Sequence, residues 1–161
     1  MSNEIDAWPA GATFLFNILI ANEAAAGAGN IELIYTAGEG NEFEVLYGMI
    51  VNLDTVARTL QAYIDTGTSD ENVVNLDSQS LGAGAGLGFP KAAALGANEA
   101  SGNPGRYMVS GPMRLRLISN SVADGEDARF RGALRLKGAI PTRSTVGQGT
   151  EVVTVTTQRV V

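Results

Sequence analysis

The stretch Glu42-Phe43-Glu44-Val45-Leu46-Tyr47-Gly48-Met49-Ile50-Val51-Asn52-Leu53 alternates side-chain character residue by residue. In an extended chain successive side chains point to opposite faces. Phe43, Val45, Tyr47, Met49, Val51 and Leu53 therefore share one face of a predicted strand. The other face begins polar at Glu42 and Glu44 and turns apolar at Leu46 and Ile50. That change predicts a strand covered on both sides in its second half.

The same two-residue period recurs on either side. Phe14, Phe16, Ile18 and Ile20 alternate near the start, and Ile31, Leu33 and Tyr35 form a short strand closed by Gly38 and Gly40. Further strands are expected at Val56–Asp65, Arg106–Val109, Met113–Asn120 and Ala128–Lys137, with Pro141 as a break and Glu151–Val161 as a final Val/Thr strand. Roughly eight short strands with Gly and Pro turns predict an all-β antiparallel β-sandwich or jelly roll with extended N- and C-terminal arms. The organisation expected is an N-terminal arm and first strand over 1–25, a core over 26–140 and a C-terminal arm or strand over 141–161. Residues 78–104, rich in Gly, Ala, Ser and Pro, are expected to form a long ordered loop, with a short helix at Lys91–Leu95. The terminal strand, if bare, would be an aggregation hazard, so a pairing partner is expected for it.

Composition narrows the chemistry. Of 161 residues, 45% are hydrophobic, enough for a real core, and 17% are charged, below the ~25% usual for soluble domains. There is no cysteine and no histidine. Disulfides, thiolate zinc sites and Ser-His-Asp or Cys-His catalysis are therefore excluded. Lys91 and Lys137 are the only lysines, so lysine chemistry has little room. No cofactor or metal is implied. Residues 1–105 carry 13 acidic and 2 basic side chains, whereas 106–143 carry 8 basic and 3 acidic ones. A chain acidic in one part and basic in another suits docking onto oppositely charged protein surfaces, copies of itself included. Its overall net charge of −6 argues against nucleic acid. The acidic start, Met1–Pro9, predicts no secretory signal and synthesis in a cytoplasm. The apolar run Phe14–Ala21 is too short to span a membrane.

The clearest pattern is a cation at every second position. Arg114 and Arg116 flank Leu115, Arg129 and Arg131 flank Phe130, and Arg135 and Lys137 flank Leu136. If the two strands pair across the Ala123–Asp127 turn, these six cations line one outer face. Like charges opposite each other repel, so an acidic cover is expected, from a partner or from local Glu and Asp. Trp8, Phe14 and Phe16 are the candidate contacts of the N-terminal arm, large aromatics able to anchor in a neighbouring subunit.

Two motifs suggest catalysis or nucleotide binding. Tyr63-Ile64-Asp65-Thr66-Gly67 resembles the active-site turn of retroviral-type aspartic proteases, where two Asp carboxylates share a proton. No glycine-tipped flap and no later bracing element accompany it, and Asp and Gly favour turns in any case. The Gly82–Gly88 run lacks the Gly-Lys-Ser/Thr ending of a phosphate loop. The acidic turns at Asp65–Glu71 and Asp124–Asp127 lack the spacing of an EF-hand.

The order of elements over residues 40–138 resembles small jelly-roll decoration, or cement, proteins of tailed bacteriophages. Gly111-Pro112-Met113-Arg114-Leu115-Arg116 echoes their Pro-Gly-x-Arg-Leu-Arg strand, and Ala123–Asp127 echoes their acidic turn. The resemblance implies a structural virion protein, not an enzyme, on the outer capsid surface. It implies that the chain binds the major capsid protein, forms homotrimers and clamps neighbouring capsid subunits, without nucleic acid or membrane as partner. The alternatives are a tail or fibre module that binds a receptor or sugar, whose mark would be exposed aromatics, the protease built on Asp65, and a generic self-assembling β-protein.

Overall fold

The computed structural model describes residues 7–8, 11–22, 31–66, 72–90, 107–120, 126–146 and 151–158. All of its regular structure is β. The strands are β1 (Ala7–Trp8), β2 (Thr13–Asn22), β3 (Ile31–Asn52), β4 (Arg58–Asp65), β5 (Asn72–Leu81), β6 (Gly86–Phe89), β7 (Met108–Ser119), β8 (Glu126–Ala139), β9 (Thr142–Val146) and β10 (Glu151–Gln158). Every pairing is antiparallel, and the order is β10-β2-β8-β3-β7-β4-β5, with β1 on β8 and both β6 and β9 on β3. The sheet is open rather than closed into a barrel, because its end strands β10 and β5 do not pair with each other.

The long strand β3 organises this arrangement. Its first half, Ile31–Thr36, lies between β7 and β9, and β7 continues outward to β4 and β5. Its second half, Glu42–Asn52, lies between β8 on one edge and β6 with the start of β7 on the other, and β8 continues to β2 and β10. The sheet thus bends into two half-sheets that share β3. The bend falls where glycines take positive φ: Gly38 (87°) and Gly40 (76°) in β3, Gly111 (57°) in β7 and Gly138 (104°) at the end of β8. Only glycine adopts such angles without strain. Asn41 ties the corner, its Oδ1 accepting a 3.1 Å hydrogen bond from the Ala139 amide.

The two half-sheets close on one core, consistent with a β-sandwich. Phe14, Phe16, Ile18 and Ile20 of β2 meet Ile31, Leu33 and Tyr35 of β3, with Leu60, Ile64, Leu115, Leu117, Phe130, Leu134 and Leu136 around them. The Phe14 and Tyr35 rings pack edge to face at 5.8 Å, and Phe16 packs on the same tyrosine at 5.0 Å. Each fully buried side chain of this size contributes on the order of 1.5–3 kcal/mol.

Several expectations change. Phe14 and Phe16 lie in the chain's own core, 4% and 3% exposed, so they do not form arm contacts with a neighbour. Alternation places them on one face, and that face packs inward on Tyr35 of β3. The terminal strand finds its pairing partner in β2, within the same chain. Trp8 pairs through its backbone with Gly138, and its side chain lies outside the described residues. The 78–104 segment is partly strand, since β5 runs to Leu81 and β6 covers Gly86–Phe89. Residues 91–106, including the expected short helix, lie outside the described part.

The phase of β3 also differs. A bulge between Val45 and Tyr47 inserts Leu46 as an extra residue. A bulge moves every later side chain to the opposite face. Phe43 and Val45 point inward, but past the bulge Ile50 and Asn52 do, and Tyr47 is turned out and 59% exposed. Gly48 takes an inward position, where the Phe89 ring fills the space a side chain would need.

Candidate interaction surface

The six cations do not share a face. β7 and β8 do not pair across the Ala123–Asp127 turn, because β3 lies between them. Arg114 and Arg116 stand on the outer side of one half-sheet, and Arg129, Arg131, Arg135 and Lys137 on the outer side of the other. The reason is topological: a strand as long as β3 can hold β7 on one edge and β8 on the other.

On the first half-sheet the cations are neutralised from within. Register places Asp65 of β4 opposite Arg114 and Tyr63 opposite Arg116. Arg114 donates two hydrogen bonds to Asp65, from Nε at 2.8 Å and Nη2 at 2.7 Å. Arg116 donates to Asp65 Oδ2 at 3.2 Å and to Glu32, and its guanidinium lies 5.1 Å from the centre of the Tyr63 ring. Asp65 is fully buried, and Glu32 and Arg116 are nearly so. Asp65 and Glu32 thus meet the guanidiniums of Arg114 and Arg116 in one ion-pair cluster. A bidentate Arg–carboxylate pair is among the stronger and more directional ion pairs. Both carboxylate oxygens of Asp65, the residue of the Asp-Thr-Gly turn, accept hydrogen bonds from these guanidiniums.

The second half-sheet differs. Its outer face is a grid of three strands in register: Thr13–Arg135–Glu44, Leu15–Ala133–Tyr47, Asn17–Arg131–Met49 and Leu19–Arg129–Val51. At one end the cations have carboxylate partners, Arg135 with Glu44 at 3.3 Å and Lys137 with Glu42 at 3.0 Å. The Lys137–Glu42 pair, the more exposed of the two, contributes about 0–1 kcal/mol. In the middle the partners are neutral: Arg129 donates to Asn17 Oδ1 at 2.9 Å, and the exposed Arg131 approaches Met49 Sδ at 3.5 Å. Around Arg131 lies an open depression of about 480 Å³, lined by Leu15, Asn17, Tyr47, Met49 and the backbone of Gly48 and Gly132.

Of the cations named from sequence, the structure gathers Arg129, Arg131, Arg135 and Lys137 on this face and separates Arg114 and Arg116 from it. Sequence reasoning missed Leu15, Asn17, Tyr47 and Met49. The odd-numbered phase of β2 signals Leu15 and Asn17 as the face opposite Phe14 and Phe16, whereas Tyr47 and Met49 are hidden by the bulge. Among the described residues no group of three or more His, Cys, Asp or Glu is gathered to hold a metal ion. Among them, too, no helix is long and apolar enough to cross a membrane. Comparison with family models, with curated proteins and with solved structures finds no match.

Proposed function

We propose that this chain is an adhesive structural protein, built on a jelly-roll form of the β-sandwich, that binds the outside of a bacteriophage capsid as a homotrimer and clamps neighbouring capsid subunits. The observation that carries the adhesive part is the outer face around Arg131. Tyr, Met and Arg are the residue types enriched at protein–protein contacts, and here Tyr47, Met49 and Arg131 surround one depression. The capsid as partner rests on the resemblance of Gly111–Arg116 and Ala123–Asp127 to decoration proteins. Gly111 adds a physical sense to that motif, because its positive φ lets β7 turn the corner beside Gly38. A protein that binds only the assembled shell stabilises it by mass action.

The test is native mass in solution, followed by co-sedimentation with candidate phage heads. A trimer that sediments with heads is the expected result. A monomer that stays in the supernatant would remove the proposal. The exposed Tyr47 beside Asn17 and Arg131 also favours a second reading, a sugar-binding tail or fibre module. Saturable binding of a glycan, with no binding to heads, would select it.

A further inference from the structure

Arg58, Arg114, Arg116, Arg135 and Lys137 each meet a carboxylate of this chain. Arg131 meets only a thioether among the described residues, and Arg129 only the oxygen of an amide. These two guanidiniums are adjacent outward positions on β8, two residues apart, on the face that carries the depression. Asn17 contributes to the same place. Its oxygen accepts from Arg129, which leaves its amide N–H groups to donate to something else. Leu15, Tyr47 and Met49 supply the apolar remainder of the lining. The depression thus presents donors for an anion, set among groups that favour an apolar neighbour.

We propose that this depression seats an acidic–apolar segment of a partner protein. An Asp or Glu carboxylate pairs with the Arg131 guanidinium and the Asn17 amide, and the adjoining apolar side chain lies on Tyr47 and Met49. A carboxylate fits better than a neutral ligand because the missing partner of Arg131 is an anion. A guanidinium flanked by apolar groups also gains more from an ion pair than one in open water, since the apolar surroundings weaken solvent screening. A peptide fits better than a free anion because the lining is largely apolar. The inference deepens the adhesive proposal by naming the chemistry of the partner, and it rests on that proposal only in taking the partner to be a protein.

The experiment needs no capsid. The ¹⁵N-labelled full chain is titrated with the blocked peptide Asp-Phe-Glu-Leu-Asp, with its Asn/Gln counterpart, and separately with N-acetylneuraminic acid. Saturable shifts at Leu15, Asn17, Tyr47 and Met49 with the acidic peptide are expected, and little response to the neutral one. Arg131→Ala should weaken binding by roughly tenfold or more, as for the loss of one partly desolvated ion pair. Arg143→Ala, an equal change of net charge on β9, should leave it within about twofold. Tyr47→Ala gives a second, uncharged variant and should also weaken binding.

Equal binding of the neutral peptide, or equal effects of Arg131→Ala and Arg143→Ala, would overturn the inference. So would tighter binding of N-acetylneuraminic acid than of the peptide, which would make the seat one for an acidic sugar. Line broadening that grows with protein concentration and disappears in Arg131→Ala would give the seat to a second copy and overturn it as well. The two proposals fail separately. Peptide binding without head binding removes the capsid and keeps the seat, and head binding unaffected by Arg131→Ala removes the seat alone.

Discussion

The outer faces of the two half-sheets carry the same local sequence device, arginine at every second residue of a strand, and put it to opposite uses. On the β7 face, Arg114 and Arg116 meet Asp65 and Glu32 and are drawn into a largely buried ion-pair cluster. On the β8 face, Arg129 and Arg131 meet an amide and a thioether and stay at an open surface. The arginines are alike, so what separates the two faces is the neighbouring strand. β4 presents a carboxylate in register with Arg114, whereas β2 and β3 present Asn17 and Met49 in register with Arg131. An Arg-x-Arg pattern therefore marks an outward face without saying whether that face is sealed or available.

If the β7 face is sealed, breaking it should be costly. Asp65→Ala leaves two guanidiniums facing a buried gap, and removal of one partner from such a cluster costs about 3–5 kcal/mol. Urea denaturation should show the loss, and a change below about 1 kcal/mol would mean that the cluster is solvated after all. The interior beneath the open face provides the next contrast. A Cβ added at Gly48 would stand 2.0 Å from the Phe89 ring. Gly48→Ala should therefore lower stability by roughly 1–3 kcal/mol through overpacking, although the surface above it is open.

A smaller effect is expected at Asp54, in the turn between β3 and β4. Burial alone would raise its pKa. The hydrogen bond and charge of Arg58, together with the Thr55 and Val56 amides, outweigh that and hold the carboxyl below its ordinary 3.8. A carboxyl depressed in the folded state stabilises the protein above its unfolded pKa and loses that contribution as pH falls through the folded value. Asp54→Asn should therefore lower stability at neutral pH and narrow the gap from wild type as pH drops below about 4. A gap that stays constant with pH would show that ionisation of Asp54 contributes nothing. The least effect on folding belongs to the open face, where Arg131→Ala should change stability by no more than about 0.5 kcal/mol. A larger loss would show that Arg131 belongs to the scaffold, as Arg114 and Arg116 do.

Much of the fold was legible locally. Phe14 to Ile20 and Ile31 to Tyr35 alternate as the core requires, and Leu115 and Leu117 point inward between outward arginines. What local pattern did not carry was of three kinds. One is the bulge at Leu46, which reverses the face of Tyr47, Met49 and Val51; Gly48, an isolated glycine inside the strand pattern, is its sole local sign. Another is β5, whose sequence Asn-Val-Val-Asn-Leu-Asp-Ser-Gln-Ser-Leu is too polar to read as a strand and is held by its pairing to β4. The third is partner choice. Hydrogen-bonded neighbours here are often tens of residues apart, so no window around Arg114 contains Asp65 or Glu32. The candidate surface was legible as a row of cations on β8, and its apolar half was not.

The span of β3 also has a consequence for how the protein is made. Its partner strands, β6, β7, β8 and β9, all follow it in the chain, and the pairing that fixes its first half begins only with β7 and β9. A ribosome adds about 5–20 residues per second. The interval between Asn52 and Met108 therefore lasts on the order of 3–11 s at those rates. During that time the longest strand of the molecule has left the catalytic centre of the ribosome with only the four-residue β6 made to pair with it. Nascent-chain holding factors, or simply a low rate of encounter between unfinished copies, would set the yield of this protein more than the stability of its finished form.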